Sequence, residues 1–237
     1  MKNKKNLSAF TLIELLIVIA IIGILATLMF PAIQGAMNQA QGVKVGNNGR
    51  SIVTAIIAAN IERESQSLGS VWPSKAKWDG KKSNDYFKQL LDQEVLDGIT
   101  PSTLVGGGVE AAKTVDDLSK EGVIWNCLAG VESCDDATPF LWTRNLEGVQ
   151  PKDFDFSDAD AAQKEKWTDK LNASGNNEKP FGKTQVITVS KGNAMRTIKA
   201  KYLNQYNFLG GIAITNDVAN TVAVMEAQNG SKTSSEW

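Results

Sequence analysis

Between Phe10 and Phe30 the chain is apolar, broken only by Thr11, Thr27, Gly23 and one charged residue, Glu14. A helix rises about 1.5 Å per residue, so this stretch makes a rod about 30 Å long, the thickness of a bilayer's hydrocarbon core. Such a run can cross a membrane as one helix, and it limits everything that follows it. Lys2, Lys4 and Lys5 precede it with no acidic residue among them. The positive-inside rule then keeps the N-terminus in the cytoplasm and sends the C-terminal bulk across. An acidic residue at mid-membrane costs about 2.5–3.5 kcal/mol on insertion scales. Glu14 therefore asks for a partner.

Two ordinary readings compete. A cleaved secretory signal shares the basic start and the apolar stretch. Against it stand Glu14, the length of the run, and the segment PAIQGAMNQA after Phe30, which lacks a small-x-small exit. A plain uncleaved anchor explains the length and the lysines but gives no reason for an acidic residue four positions after Phe10.

The residues Ala9-Phe10-Thr11-Leu12-Ile13-Glu14-Leu15-Leu16, behind the lysines and ahead of the long apolar helix, resemble the class III signal of type IV pilins and type II secretion pseudopilins. The resemblance implies a prepilin peptidase cut between Ala9 and Phe10 on the cytoplasmic face. It also implies methylation of Phe10 as the new first residue, and retention of the helix. The family usually has Gly before the cut; Ala9, the next smallest side chain, stands there in this chain. The resemblance is strong over about the first 60 residues and weaker beyond them.

Cleavage creates an α-amino group at Phe10, protonated near neutral pH with an ordinary pKa of about 7.7–8.0. In a filament of staggered helices Glu14 of one subunit would face that amine on its neighbour. A paired charge in a low-dielectric core is far cheaper than a stranded one, so the pair supplies register more surely than net stability. A simpler account of Glu14 is a helix N-terminal effect. A carboxylate near a helix start gains about 0.3–1 kcal/mol from the dipole, and Glu14 could also pair with its own chain's amine.

Pro31 closes the apolar run, and a kink is expected there. Beyond it Ile33, Met37, Ala40 and Val43, then Val53, Ile56, Ile57 and Ile61, recur at helical spacing. One face of this amphipathic half, residues 31–64, is expected to pack on a globular domain. Gly35, Gly42, Gly46 and Gly49 each weaken a helix by about 1 kcal/mol relative to Ala. They fit a merely poor helix or a local break near Gly46–Gly49, or a segment able to stretch or melt during assembly as the resemblance implies.

Residues 65–237 suffice for one exported domain. The chain has 25 basic and 26 acidic residues; without Lys2, Lys4 and Lys5 the balance is 22 against 26, or −4. That mild acidity argues against nucleic acid as a partner. Residues 85–96 show a helical pattern, 114–120 a short helix, and 157–171 a helix with Ser157 as N-cap. The β-branched and aromatic runs at 122–125, 139–143, 184–190, 210–216 and 221–226 read as strands. The fold class expected is α+β, with a long N-terminal helix against a small antiparallel sheet.

Cys127 and Cys134 are the only cysteines. Outside the cytoplasm an even count suggests a disulfide, worth about 2–3 kcal/mol for so short a loop; two reduced thiols are the alternative. Asp153, Asp155 and Asp158 could offer oxygen ligands to calcium, but their spacing lacks the Gly and the bidentate Glu of an EF-hand loop. A turn and a capped helix explain them more simply, and no cofactor is expected. Gly106-Gly107-Gly108 is not followed by the Lys-Ser/Thr of a P-loop. The tryptophans Trp72, Trp78, Trp125, Trp142 and Trp167 read as core or surface anchors before a sugar site.

The chain contains no His, which removes Ser-His and Cys-His pairs and histidine metal sites, and catalysis is not expected. The resemblance implies a structural subunit held in the bacterial inner membrane by a single pass, with its C-terminal domain outside the cytoplasm. Its partners would be copies of itself or other pseudopilins, the prepilin peptidase, the inner-membrane assembly platform and lipid. The early Trp72-Pro73 and the modest Cys127–Cys134 spacing lean toward a type II secretion pseudopilin over a type IV pilus pilin. A membrane-tethered exported binding module is the alternative of another class.

Overall fold

The structure is a computed structural model describing residues 11–120, 122–154, 158–171, 180–211 and 221–227. The described chain begins with one helix, α1, over Leu12–Ser65. Two compact units divide at residues 40 and 41. In the first unit the helical residues are all exposed, among them Leu12, Ile17, Ile24, Leu28, Phe30, Ile33 and Met37. An 18-residue window of α1 has a mean hydropathy of 2.8, long and apolar enough to cross a membrane. Pro31 lies inside α1 and does not end it.

The second unit starts with the rest of α1, from Gln41. Gly42, Val45, Gly46, Gly49, Ile52, Val53, Ile56 and Ala59 are buried, a stripe that repeats at intervals of three and four. Burying Val45, Ile52, Val53 and Ile56 is worth about 1.5–3 kcal/mol for each side chain. These residues pack with the sheet, so the helix from Gln41 onward belongs to the second unit. Ile61 and Val43, expected on the packed face, are exposed instead.

No break occurs over residues 46–49, which are helical, with Gly46 and Gly49 buried. Their reason is close approach. A Cβ on Gly42 would meet Gln185 Nε2 at 2.8 Å, one on Gly46 would meet Met195 Sδ at 1.8 Å, and one on Gly49 would meet Trp125 Cη2 at 2.7 Å. The helix lies so near the sheet that a side chain at any of the three positions would force a neighbour to shift.

Among the described residues that sheet has five antiparallel strands: β1 (Trp125–Ala129), β2 (Pro139–Thr143), β3 (Gln185–Ser190), β4 (Met195–Lys199) and β5 (Ala223–Met225). Their order is β4-β3-β2-β1-β5, a meander whose last strand returns beside the first. Every residue of β1, β2 and β3 is buried, so the centre of the sheet is covered on both faces. Side chains alternate between faces along a strand. Trp125, Ile187 and Val189 face α1, while Trp142, of opposite parity to Leu141 and Thr143, faces away. There Trp142 meets Phe154 at 6.0 Å and Phe208 at 5.6 Å between ring centroids, and Trp167 lies tilted against Phe208 at 5.3 Å.

The small elements complete this picture and correct several expectations. The helix expected over 85–96 is α3 (Ser83–Asp92), after a one-turn α2 (Lys75–Trp78). Glu94 at φ 52° turns the chain, and Val95 N–H donates to Leu90 O to close the helix end. The single helix expected over 157–171 is only α4 (Ala159–Lys164), followed by a 3-10 turn at Thr168–Lys170. Trp167 N–H donates to Leu203 O and Leu171 pairs with Leu146, so tertiary partners draw the backbone out of the helix. The N-cap is Asp158, accepting from Asp160 N–H and Ala161 N–H; Ser157, the expected cap, lies outside the described residues. The residues 114–120 contain a 3-10 turn at Asp116–Ser119. The strand expected at 122–125 begins only at Trp125. Most of the strand expected at 210–216 lies outside the described residues, and α5 (Gln205–Leu209) precedes it. The strand β4 was not foreseen.

Candidate functional site

Glu14 is the third residue of α1, and its partner in the structure is Thr11. The Thr11 N–H donates to Glu14 Oε2 at 2.8 Å, and the Thr11 hydroxyl donates to the same oxygen at 2.7 Å. In return the Glu14 N–H donates to Thr11 Oγ1 at 3.3 Å. This is a reciprocal capping box: each side chain satisfies a backbone N–H that the first helical turn leaves without an intrahelical acceptor. The first intrahelical bond, Leu15 N–H to Thr11 O at 3.3 Å, follows from it. The signal was present in the sequence as Thr11-Leu12-Ile13-Glu14, the threonine-x-x-glutamate pattern of such a box, and the reading of Glu14 as needing a partner outside its own turn overlooked it.

Both bonds fall on one carboxylate oxygen. Glu14 Oε1 accepts no hydrogen bond among the described residues. An ionised carboxylate has room for about four donors. The box therefore orients the group and leaves one oxygen open to a cation. Ala9 and Phe10, the residues of the expected cut and methylation, lie outside the described residues.

The remaining candidates occupy the second unit. Cys127 and Cys134 are both free thiols, which corrects the expected disulfide. The chain between them is not a bridged loop. It completes β1, turns at Gly130 with φ 81°, and makes a 3-10 turn at Val131–Ser133. Each sulfur lies near a local carbonyl, Cys127 near Trp125 O at 4.0 Å and Cys134 near Gly130 O at 3.8 Å. Burial raises the Cys127 pKa well above the ordinary thiol value and pushes that of Cys134 up to about 11. Neither is a nucleophile at neutral pH.

Asp153 and Asp158, offered as calcium ligands, are engaged otherwise. The Asp153 carboxylate accepts from Gln150 N–H at 2.9 Å and pairs with Lys170, whose ammonium also lies over the Trp167 ring. Asp158 caps α4. Asp155 lies outside the described residues. Among the described residues no three His, Cys, Asp or Glu side chains converge in a way that could hold a metal ion. The tryptophans Trp78, Trp125, Trp142 and Trp167 are buried core, and Trp72 packs edge-on against Phe140 at 5.0 Å.

Residues 4–30, which include Ala9, Phe10 and Glu14, match the prokaryotic N-terminal methylation motif. The chain thus carries a prepilin-type N-terminal segment, and with its apolar helix this segment points to membrane anchoring. Over 60 residues the chain is 47% identical to fimbrial protein Q of Moraxella bovis. That match covers 25% of this chain and 38% of the fimbrial protein, so the similarity spans well under half of either. No solved structure matches the chain.

Proposed function

We propose that the protein is a structural subunit of a filament, stored in the bacterial inner membrane by α1 and drawn from it during assembly. The observation that carries this reading is the Glu14 carboxylate, held by Thr11 inside a methylation-motif helix with one oxygen open. Cleavage before Phe10 supplies a cation of the right kind, an α-ammonium protonated near neutral pH. Glu14 of one subunit receives that ammonium from another, and the pairing sets the stagger of the helices. Prepilin peptidase, the assembly platform, lipid and copies of this chain or of related subunits are the partners. The exported unit lies outside the cytoplasm, and no catalytic role is assigned to it.

Within this class we favour a type II secretion pseudopilin, on the Trp72-Pro73 loop after α1 and the absence of a bridge between Cys127 and Cys134. The similarity to a fimbrial protein favours the second reading, a type IV pilus subunit. Intact mass of the protein from its native membrane tests the processing. Loss of residues 1–9 with gain of one methyl group is expected, and an unprocessed N-terminus removes the ammonium and overturns the proposal. Deleting the gene separates the two finer readings: lost secretion with intact pili marks the first, lost pili the second.

A further inference from the structure

Among the described residues the strand β4 ends the sheet. Its bonds to β3 are placed by Ser190 N–H to Ala194 O and Ala200 N–H to Thr184 O, each 2.9 Å. In an antiparallel pair, residues bonded to the partner alternate with residues whose N–H and C=O point away. The even-numbered residues of β4 are thus bound to β3. The backbone groups of Met195 and Thr197 and the N–H of Lys199 point off the sheet, while the Lys199 C=O opens the 3-10 turn Ala200–Tyr202; among the described residues no strand pairs with them.

A groove of about 620 Å³ runs along this edge. It is lined by four consecutive residues of β4, Arg196 to Lys199, with Lys201, Tyr202 and Asn207. A hollow on one face of a strand is lined by alternate residues, because side chains alternate. One lined by consecutive residues lies along the backbone edge itself. Arg196, Lys199 and Lys201 bring three positive charges into it, and among the described residues no carboxylate lines it. None of the three has an ion pair among the described residues. Tyr202, 57% exposed, lies under the Lys201 ammonium at 4.6 Å. The hydrogen bond from Lys201, with its charge and that of Lys199, draws the Tyr202 phenol below its ordinary pKa. Positive charge is therefore gathered, with no carboxylate paired to it among the described residues, in a chain whose net charge is −1.

We propose that the free edge of β4 is a docking edge for an extended acidic peptide segment of a partner protein, which adds to the sheet as a further strand and sets its carboxylates against Arg196, Lys199 and Lys201. The two halves of the site call for this one ligand. A compact anion would answer the cations and leave the row of N–H and C=O groups unused; a neutral strand would do the reverse. Lysines on an edge deter addition of another basic or neutral strand. The same charges select an acidic one, with main-chain bonds supplying affinity and side chains supplying choice. This site is independent of the Glu14 pairing.

The test uses the full chain in detergent and a capped synthetic peptide of about ten residues, alternating Asp and Val, the length of a long strand. Binding is expected together with slowed hydrogen exchange at Met195, Thr197 and Lys199. The double variant Lys199→Glu/Lys201→Glu, altered only at exposed positions, is expected to weaken binding about tenfold or more, with the loss reduced at high salt. A peptide N-methylated at alternate residues keeps every charge but cannot add as a strand, and it is expected not to bind. Equal binding of the N-methylated peptide, or of an oligothymidylate or inorganic phosphate at matched charge, overturns the proposal in favour of a plain anion site. So does full protection of the Thr197 amide in the free protein, which would mean that the edge is already paired.

Discussion

Gly49 of α1 lies so close to the indole of Trp125 that a methyl group on its Cα would come within 2.7 Å of Cη2 and within 2.8 Å of Val189 Cγ2. Both neighbours are fully buried parts of the sheet, and neither is the free end of a flexible chain.

Gly49→Ala is therefore expected to destabilise the second unit by about 1–3 kcal/mol through overpacking, offset by about 1 kcal/mol of improved helix propensity. Gly46→Ala is expected to cost less. Its obstacle is the Met195 thioether, which has rotamers to move into. Urea unfolding of the two variants side by side decides the matter; a Gly49→Ala protein more stable than Gly46→Ala would contradict the close packing.

At the other end of α1, Thr11→Ala removes the hydroxyl that both donates to and accepts from Glu14. A lost N-cap costs about 0.5–2 kcal/mol. The expected outcome is a frayed first turn and reduced filament yield, with processing and membrane insertion retained. Glu14→Ala is expected to be inserted and cleaved but to assemble poorly, because the ammonium of the neighbouring subunit then meets no carboxylate. Filament yield in membrane fractions, set against mass-verified processing, measures both. Normal assembly of Glu14→Ala removes that carboxylate from the mechanism.

The thiols Cys127 and Cys134 are expected to be inert to iodoacetamide at pH 8 while the chain is folded and to react when it is denatured. Their proton is held to higher pH in the folded chain than in the unfolded one, where the ordinary value is 9.0. Stability from this source is complete below pH 9 and falls as pH rises from 9 toward about 11. Mass spectrometry without reductant should count two free thiols, and a bridged mass would restore the disulfide.

Asp153→Ala leaves Lys170 half-buried without its carboxylate and Gln150 N–H without its acceptor. The expected loss is about 1–3 kcal/mol, the range for a charge-assisted bond left unmade. Added calcium is expected to leave the melting temperature of the native protein unchanged, since Asp153 and Asp158 are already occupied. A calcium-dependent rise would reassign them as ligands.

The parts of this protein legible in its sequence are those ruled by local chemistry. The length and apolarity of residues 10–30, the lysines ahead of them and the isolated Glu14 follow from composition and spacing alone. So do β2, β3 and β5, whose β-branched and aromatic runs lie between turn residues. What the sequence left open or misjudged depends on residues far apart in the chain. β4 reads Met-Arg-Thr-Ile-Lys, with no strong strand pattern, and exists because β3 offers it an edge. The glycines at 42, 46 and 49 look like helix weakness until Gln185, Met195 and Trp125 are placed beside them. The expected helix at 157–171 yields to backbone bonds with Leu203 and Leu146. Local propensities differ by about 1 kcal/mol or less for each residue. A buried tryptophan or a satisfied backbone group is worth more, so the tertiary structure decides wherever the two disagree.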